Sequence, residues 1–510
     1  MSTTTASDLA GAVQDDDGDN KRKNLYQQRP PLISLSDYAS SSKESARPFH
    51  VVFVHLDLGI GGAEQLITQL AVASVELGHD VDIVTTRCDP DHCFEAYKPP
   101  TAGHVGRGGG RLYSSLHVYG RWIPPDVMGY GRVFFSTVRL LYLAFKVAHK
   151  KGPDLYVVDV LPTPLAILNL TDTATLFYCH FPDKLLKKKQ QQQPSILGRL
   201  YRGIMNSMEG WTMASADCVV VNSIFTRETV QRSFASLANA QLPVLYPALD
   251  GGSLDDKDTG LGDEQEYMIV SLNRYERKKN LELFLEMASW IRTNYPEIKL
   301  PRLVVAGGYD TQNVENVEYR SELGQLARKL RLNVDFKLSV SDAERSRLLR
   351  TALAVVYTPS HEHFGIVPLE SMYASTPVIA VDSGGPKESI VNGQTGFLCE
   401  STPEGFGKAL LELLRGYPTK SLQMGKAGRQ HVVDKFGEER LKREWKILAE
   451  QALVQGRRRL ARAGQYRLAR SIIYSGEAIA TLILAMLLTL VLRQVRLLQD
   501  NESAWHRGEL

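Results

Sequence analysis

Cysteine is scarce in this 510-residue chain: Cys88, Cys93, Cys179, Cys218 and Cys399 are the full set of five. An odd, thinly spread set is no disulfide framework and points to a reducing compartment. Cys88 and Cys93 flank His92, but no second Cys/His pair follows at zinc-like spacing, so ordinary loop thiols are expected there. An excess of one charge is lacking too. With 60 basic against 57 acidic residues the net charge is +3, which gives no general case for nucleic-acid binding. The first 48 residues lack the apolar stretch of a signal peptide. They are polar, with Ser/Thr clusters and the run Asp15–Asp16–Asp17. Residues 1–48 are therefore expected to be a disordered tail, with the main fold in the cytosol.

What is present is ample apolar material, 43% of the chain, in patterns that imply two α/β domains. The first is expected over 49–247. His50–His55 has strand length, Ala63–Leu77 shows helical spacing and stops at Gly78, and Val81–Thr86 reads as the next strand. A strand, a crossover helix and a parallel strand imply a covered parallel sheet. Residues 101–131 are rich in glycine and read as a mobile loop. A helix near Val133–Ala148 follows. Leu155–Val158, Ala174–Tyr178 and Cys218–Val221 then read as strands, with a helix near Ile196–Met213. A polar linker over 247–265 separates this from a second domain at 266–450, whose last helix is expected to return to the first. Its pattern restarts with strand Met268–Leu272, helix Leu281–Ile291 and strand Leu303–Ala306. Tyr319–Leu330 and Asp342–Thr351 read as helices, and Val334–Lys337, Ala354–Tyr357 and Val378–Val381 as strands. Ligands of such open sheets bind at the carboxyl ends of the strands, so a cleft between the domains is the expected site.

Close to the end, Arg457, Arg458, Arg459, Arg462, Arg467 and Arg470 precede an apolar stretch at 472–492, interrupted by Glu477. Its uncharged part, Ala478–Leu492, spans about 22 Å at ~1.5 Å per residue, short of the ~30 Å bilayer core. It reads as a short spanning or membrane-embedded helix, with the arginines on the cytosolic side. Lys187–Lys189, beside the helix at Ile196–Met213, is expected to touch lipid headgroups.

Four segments carry candidate chemistry. His361-Glu362-His363-Phe364-Gly365-Ile366-Val367-Pro368-Leu369-Glu370 follows a predicted strand. Gly365 lets the backbone approach a ligand and opens a helix, whose free N–H groups suit a diphosphate. Glu362 and Glu370 could then accept hydroxyls from opposite ends of one elongated ligand. Two glutamates at this spacing are common on surfaces; the preceding strand, the internal Phe364-Gly365 and the following Pro377-Val378-Ile379 set this pair apart. Asn273-Arg274-Tyr275-Glu276-Arg277-Lys278-Lys279-Asn280 follows the first strand of the second domain. There Arg274 and Lys279 could offset charge on a leaving group. Leu58-Gly59-Ile60-Gly61-Gly62-Ala63-Glu64 is not the dinucleotide fingerprint, because Glu64 stands where the third glycine belongs. Gly61 and Gly62 still give a tight turn that admits a phosphate or an acceptor. Tyr178-Cys179-His180-Phe181-Pro182-Asp183 places His180 at a strand's carboxyl end, where it could bond a sugar or simply pack.

Together these segments resemble the GT-B retaining glycosyltransferases of family 4. HLDLGIGGAEQL, CDPDHCFEA, YCHFPD, VNSIFT, LYPAL and NRYERKKN resemble, within it, the enzymes that add α-1,3 and α-1,6 mannose in dolichol-linked oligosaccharide assembly. The match runs from about 50 to 450 and departs at the N-terminal tail and the glycine-rich loop. The resemblance implies two Rossmann-like domains facing across a cleft and a C-terminal hydrophobic membrane segment. It implies GDP-mannose as donor and Man-GlcNAc2-diphosphate-dolichol as acceptor, at the cytosolic face of the endoplasmic reticulum membrane. Other glycosyltransferases of the pathway are expected neighbours. It puts Glu362 on the donor mannose, Glu370 on the ribose, and Arg274 and Lys279 on the diphosphate, with Gly365, Ile366 and Val367 lining the donor. Gly61, Gly62 and His180 fall on the acceptor side. It implies catalytic weight on Glu362, Lys279, Arg274 and His180, no cofactor and no required metal; the second domain has no Asp-x-Asp motif at a strand end. A soluble glycosyltransferase on the same scaffold fits the tail less well. A non-catalytic adaptor has no need of all four charged residues.

Overall fold

The computed structural model describes residues 47–100, 110–126, 131–148, 152–182, 196–249, 251 and 266–463. The expected tail up to residue 46, Asp183, Lys187–Lys189, most of the linker and the segment 472–492 lie outside the described residues. Among the described residues no helix is long and apolar enough to cross a membrane.

Fourteen strands are described: β1 His50–Val54, β2 Asp57–Leu58, β3 Asp80–Thr85, β4 Arg87–Cys88, β5 Leu116–Val118, β6 Leu155–Asp159, β7 Ala174–Cys179, β8 Cys218–Val221, β9 Met268–Leu272, β10 Arg302–Gly307, β11 Val334–Leu338, β12 Ala354–Tyr357, β13 Val378–Val381 and β14 Gly396–Cys399. They form two six-stranded sheets, β5-β3-β1-β6-β7-β8 and β11-β10-β9-β12-β13-β14, with a small β2-β4 pair. Every pairing in both large sheets is parallel. In each sheet the strand order reverses once, at β1/β6 and at β9/β12. The crevice outside the carboxyl ends at that reversal is where open α/β sheets bind ligands.

Alternation along the strands builds two layers on each sheet. Val51 and Phe53 of β1 point to one core with Leu66, Ile67 and Leu70 of the helix Gly62–Glu76. Val52 and Val54 point to the opposite core with Leu140, Leu143 and Ala144 of the helix Arg132–Ala148. In the second sheet Ile269 joins Phe284 and Phe406 on one face, while Met268 and Val270 join Leu348 and Leu349 on the other.

The last described helix, Glu438–Ala463, leaves the second domain and packs on the first. Leu441, Trp445, Leu448 and Ala452 fill the core that holds Phe53. Trp445 Nε1 donates to Ser74 Oγ at 2.9 Å. Arg459, expected to face lipid, is turned inward instead: it donates to the Asp217 carboxylate at 2.7 Å and to the carbonyls of Asn169 and Thr173.

The glycine-rich stretch 101–131 is not wholly a loop. Leu116–Val118 is strand β5, paired in parallel with β3, and Leu112 and Ile123 are buried beside it. Its short length and the surrounding glycines hide it from a periodicity reading. Cys88 and Cys93 are free but buried, unlike ordinary loop thiols.

Candidate active site

Both sheets direct their carboxyl ends at one crevice, and the four chemical segments all emerge there. In the second domain, β9 runs into the turn Arg277–Lys279, which ends at Asn280 in the left-handed region with φ 49. That turn swings Lys279 back over β12. Thr358 Oγ1, at the end of β12, donates to the Lys279 carbonyl at 2.7 Å and fixes the turn. Lys279 Nζ lies 2.5 Å from Glu362 Oε1, with side chains 11% and 24% exposed. The Glu362 loop is itself forced: His361 has φ 57, a strained conformation for a residue with a Cβ. Gly384 and Gly385 make the loop possible. A Cβ on Gly384 would come within 2.3 Å of the Glu362 carbonyl, and one on Gly385 within 2.0 Å of the Phe364 carbonyl. The Gly385 amide donates to that Glu362 carbonyl at 2.8 Å.

Gly365, with φ 82, caps the helix Ile366–Tyr373 and leaves its first N–H groups open. Ile366 and Val367 are partly buried against the core behind the loop. Glu370 lies one turn in and is buried. Burial raises its carboxyl pKa, against the pull of Arg345, which bonds its Oε2. Glu370 is thus a buried acceptor already engaged by a cation. Arg274 is 65% exposed and pairs with Glu276 at 3.2 Å, not with a glutamate of the motif. Gly308 lies under it, where a Cβ would stand 3.2 Å from Arg274 Cγ.

In the first domain, Gly61 precedes the helix Gly62–Glu76, and Glu64 folds back over it. A Cβ on Gly61 would meet Glu64 Oε2 at 2.4 Å, whereas one on Gly62 would meet nothing within 4 Å. Gly62 therefore faces open space. His180, just past β7, is 22% exposed, and its Nε2 lies 3.0 Å from Asp159 Oδ2. Asp159 ends β6 and is fully buried; its Oδ1 lies 2.7 Å from Nδ1 of His55, at the end of β1.

The two domains touch through these same segments. Phe181 stacks on His363 with ring centroids 3.5 Å apart. Burial depresses the His363 pKa to about 4, so the ring is neutral in this stack. Ser223 Oγ donates to the His363 carbonyl at 2.6 Å. Glu388 reaches across to the helix Ile224–Ser233 and accepts from the amides of Ile224 and Phe225, both at 2.7 Å, and from Tyr246 Oη at 2.9 Å. A carboxylate on a helix N-terminus meets its free donors and its dipole. Replacing Glu388 with alanine is expected to weaken the domain contact by about 1.5–3 kcal/mol, the range for a hydrogen-bonded charge. Faster amide exchange at Ile224 and Phe225 would register it; unchanged exchange would mean that the contact holds without the carboxylate.

Asp159, Glu388, Gly384 and Gly385 went unremarked in the sequence, and His55 and Ser223 stood inside the quoted segments HLDLGIGGAEQL and VNSIFT, with no role assigned. Only the Gly-Gly pair after β13 leaves a local signal, because the others act on partners far away in the chain. Among the described residues no group of His, Cys, Asp or Glu is arranged to hold a metal ion.

The fold is that of GT-B glycosyltransferases. Sucrose-phosphate synthase of Thermosynechococcus elongatus superposes with a TM-score of 0.58 at 20% identity, covering 82% of this chain and all of that one. The catalytic domain of starch synthase IV of Arabidopsis thaliana gives 0.57 at 13% identity, covering 80% and 100%. In sequence, the family described as glycosyl transferases group 1 matches residues 255–431, and glycosyltransferase family 4 matches residues 60–250. Alpha-1,3/1,6-mannosyltransferase ALG2 of Homo sapiens is 38% identical over 421 residues, 79% of this chain and 96% of its own length. Its Mus musculus counterpart is 39% identical over 429 residues, 81% and 95%. With that identity over nearly the whole length of those relatives, on a GT-B fold with both sheets aimed at one crevice, the chain belongs to the alpha-1,3/1,6-mannosyltransferase family of glycosyltransferases.

Proposed function

We propose that the protein transfers mannose, with retention, from GDP-mannose to Man-GlcNAc2-diphosphate-dolichol, adding one α-1,3 and one α-1,6 residue. The observation that carries the reading is the Lys279–Glu362 pair at the strand-order reversal of the second sheet. It lies beside the Phe181–His363 stack that brings the first domain's acceptor-side segment against the donor-side loop. Glu362 accepts hydroxyls of the mannose, and Glu370 those of the ribose. Lys279 and Arg274 meet the diphosphate, with the helix N-terminus after Gly365 beside it. As the bond to the diphosphate breaks, negative charge grows on the leaving oxygen, and these fixed cations stabilise it. The leaving phosphate takes the acceptor's proton, so the scheme calls on no protein base and no resident metal. Gly62 leaves room for the acceptor, and His180 faces it.

A dolichol acceptor does not leave the bilayer. The apolar stretch 472–492, with arginines before it, supports a site held at the cytosolic face of the endoplasmic reticulum membrane. The test is transfer by membranes carrying the protein, supplied with GDP-mannose and the lipid-linked acceptor and read by mass spectrometry beside a Glu362→Ala variant. A gain of two hexoses, absent in the variant, is expected. A gain of one would remove the dual activity, and no gain would remove the donor and acceptor assignment.

A further inference from the structure

We propose that Asp159 and His55 are positioning residues that hold the His180 proton on Nε2, so that the Nδ1 lone pair faces the cleft and accepts a hydrogen bond from a sugar hydroxyl. The proposal rests on the reading above only in taking the cleft ligand to be a sugar.

The hydrogen-bond inventory carries it. His55 has an acceptor at each nitrogen: Asp159 Oδ1 at 2.7 Å from Nδ1 and the Asp57 carbonyl at 3.0 Å from Nε2. A neutral imidazole has one N–H and satisfies one acceptor; two acceptors call for the imidazolium. His55 is 1% exposed, and Asp159 is fully buried. Burial works against charge on His55, but Asp159, with Glu64 and the Asp57 carbonyl, more than offsets it and raises its pKa. Burial likewise pushes Asp159 up, and His55 and His180 together pull it below the usual carboxylate range. The buried carboxylate thus already has its countercharge in His55. Its second oxygen still needs a donor, and His180 Nε2 at 3.0 Å supplies one. That places the His180 proton on Nε2 without requiring a second cation. Nδ1 of His180 has no hydrogen-bond partner among the described residues, and the ring is partly exposed.

The backbone singles out the same point. Asp159 pairs in register with Tyr178, two residues before His180. Directly after it, Val160 has φ 60, and the Leu161 amide donates to the Asp159 carbonyl at 2.7 Å. A β-branched residue in the left-handed region is a strained outlier, and such strain persists where surrounding structure enforces it. A buried ion pair is in general no better for stability than apolar packing, so stability alone does not explain three polar side chains at the ends of adjacent strands β1, β6 and β7.

The other groups facing this cluster are Glu64 at 4.0 Å from His55, Tyr97, Tyr178, Cys179 and His363. Arg139 bonds the Asp57 carboxylate. Burial raises Tyr97, Tyr178 and Cys179 and depresses His363, so all four are neutral near physiological pH. Glu64, Asp159, His55 and the Arg139–Asp57 pair set the local charge.

Nitrogen-15 spectra of histidine-labelled protein test the assignment without substrate. His180 is expected as the neutral Nε2–H tautomer and His55 as doubly protonated near neutral pH. Asp159→Asn presents an amide that can donate to Nε2. This favours the opposite tautomer, and kcat for transfer is expected to fall by about 10²-fold, the scale of a misplaced positioning contact, with KM for GDP-mannose unchanged. His55→Gln removes the countercharge. Asp159 is then no longer fixed through its other oxygen, and a fall in kcat with KM for GDP-mannose unchanged is expected. Protonation of wild-type His180 on Nδ1, or an Asp159→Asn variant with wild-type kcat, would overturn the proposal. If neither variant folds, the wild-type spectrum decides. Absence of transfer by the wild-type protein would count against the donor and acceptor assignment, while the spectrum would still judge the tautomer.

Discussion

Replacing Glu362 with glutamine is expected to lower transfer by about 10²–10³-fold, the range for removing one preorganised group from a site that stabilises developing charge. The substitution keeps the side chain's size and one acceptor oxygen but removes the charge that holds Lys279 Nζ at 2.5 Å. On the proposed reading two functions fail together: the sugar loses a carboxylate acceptor, and the ammonium loses the partner that aims it. Lys279→Met is expected to do comparable damage from the other side, because in the proposed scheme the leaving diphosphate loses a fixed cation. Since the two side chains act as a unit, the double variant should be little worse than either single one. Measured kcat and KM for GDP-mannose across the four proteins would show it. Losses that multiply would mean that Lys279 and Glu362 act independently, and a Glu362→Gln variant at wild-type rate would take the carboxylate out of the mechanism.

Trp445→Ala is expected to destabilise the protein by about 3–5 kcal/mol, the range for a large aromatic truncated in a packed core. Trp445 is fully buried, 6.0 Å from the Phe53 ring, and its N–H is held by Ser74. The truncation leaves a cavity between the last helix and the first sheet. Trp445→Phe should recover most of the loss, since it restores the ring and forfeits only one hydrogen bond worth about 1 kcal/mol. Thermal or denaturant unfolding reads both. A loss under about 1 kcal/mol for the alanine variant would show that the helix is held by its flanks, such as the Arg459–Asp217 pair at 2.7 Å.

Much of the architecture is legible in the sequence because parallel strands buried on both faces read as apolar runs. Cys218–Val221, Met268–Leu272, Ala354–Tyr357 and Val378–Val381 fall where the pattern puts them. β5 and β14 escape it: three residues give no period, and Gly396–Cys399 is a four-residue run that opens on a glycine. The site divides along the same line. Glu362, Gly365 and Glu370 share one strand-loop-helix unit, so spacing exposes them. His55 and Asp159 are 104 residues apart, and Glu388 lies 164 residues from Ile224. Such partners meet only through the order of strands in a sheet or the docking of two domains, which no local pattern encodes. Arg274 reads as a diphosphate ligand by position, and its guanidinium rests on Glu276.

The return of the helix Glu438–Ala463 to the first domain also bears on how the chain is made. Leu441, Trp445, Leu448 and Ala452 belong to the same core as strands β1 and β6. During synthesis, residues 50–221 emerge first, but a wall of their interior is supplied only after the entire second domain has left the ribosome. Domains ordinarily fold in the order they are translated. Here the first to emerge waits for the last, exposing the apolar face around Phe53 in the meantime. A nascent chain stalled before residue 438 should therefore hold a protected second domain beside a first domain still open to proteases.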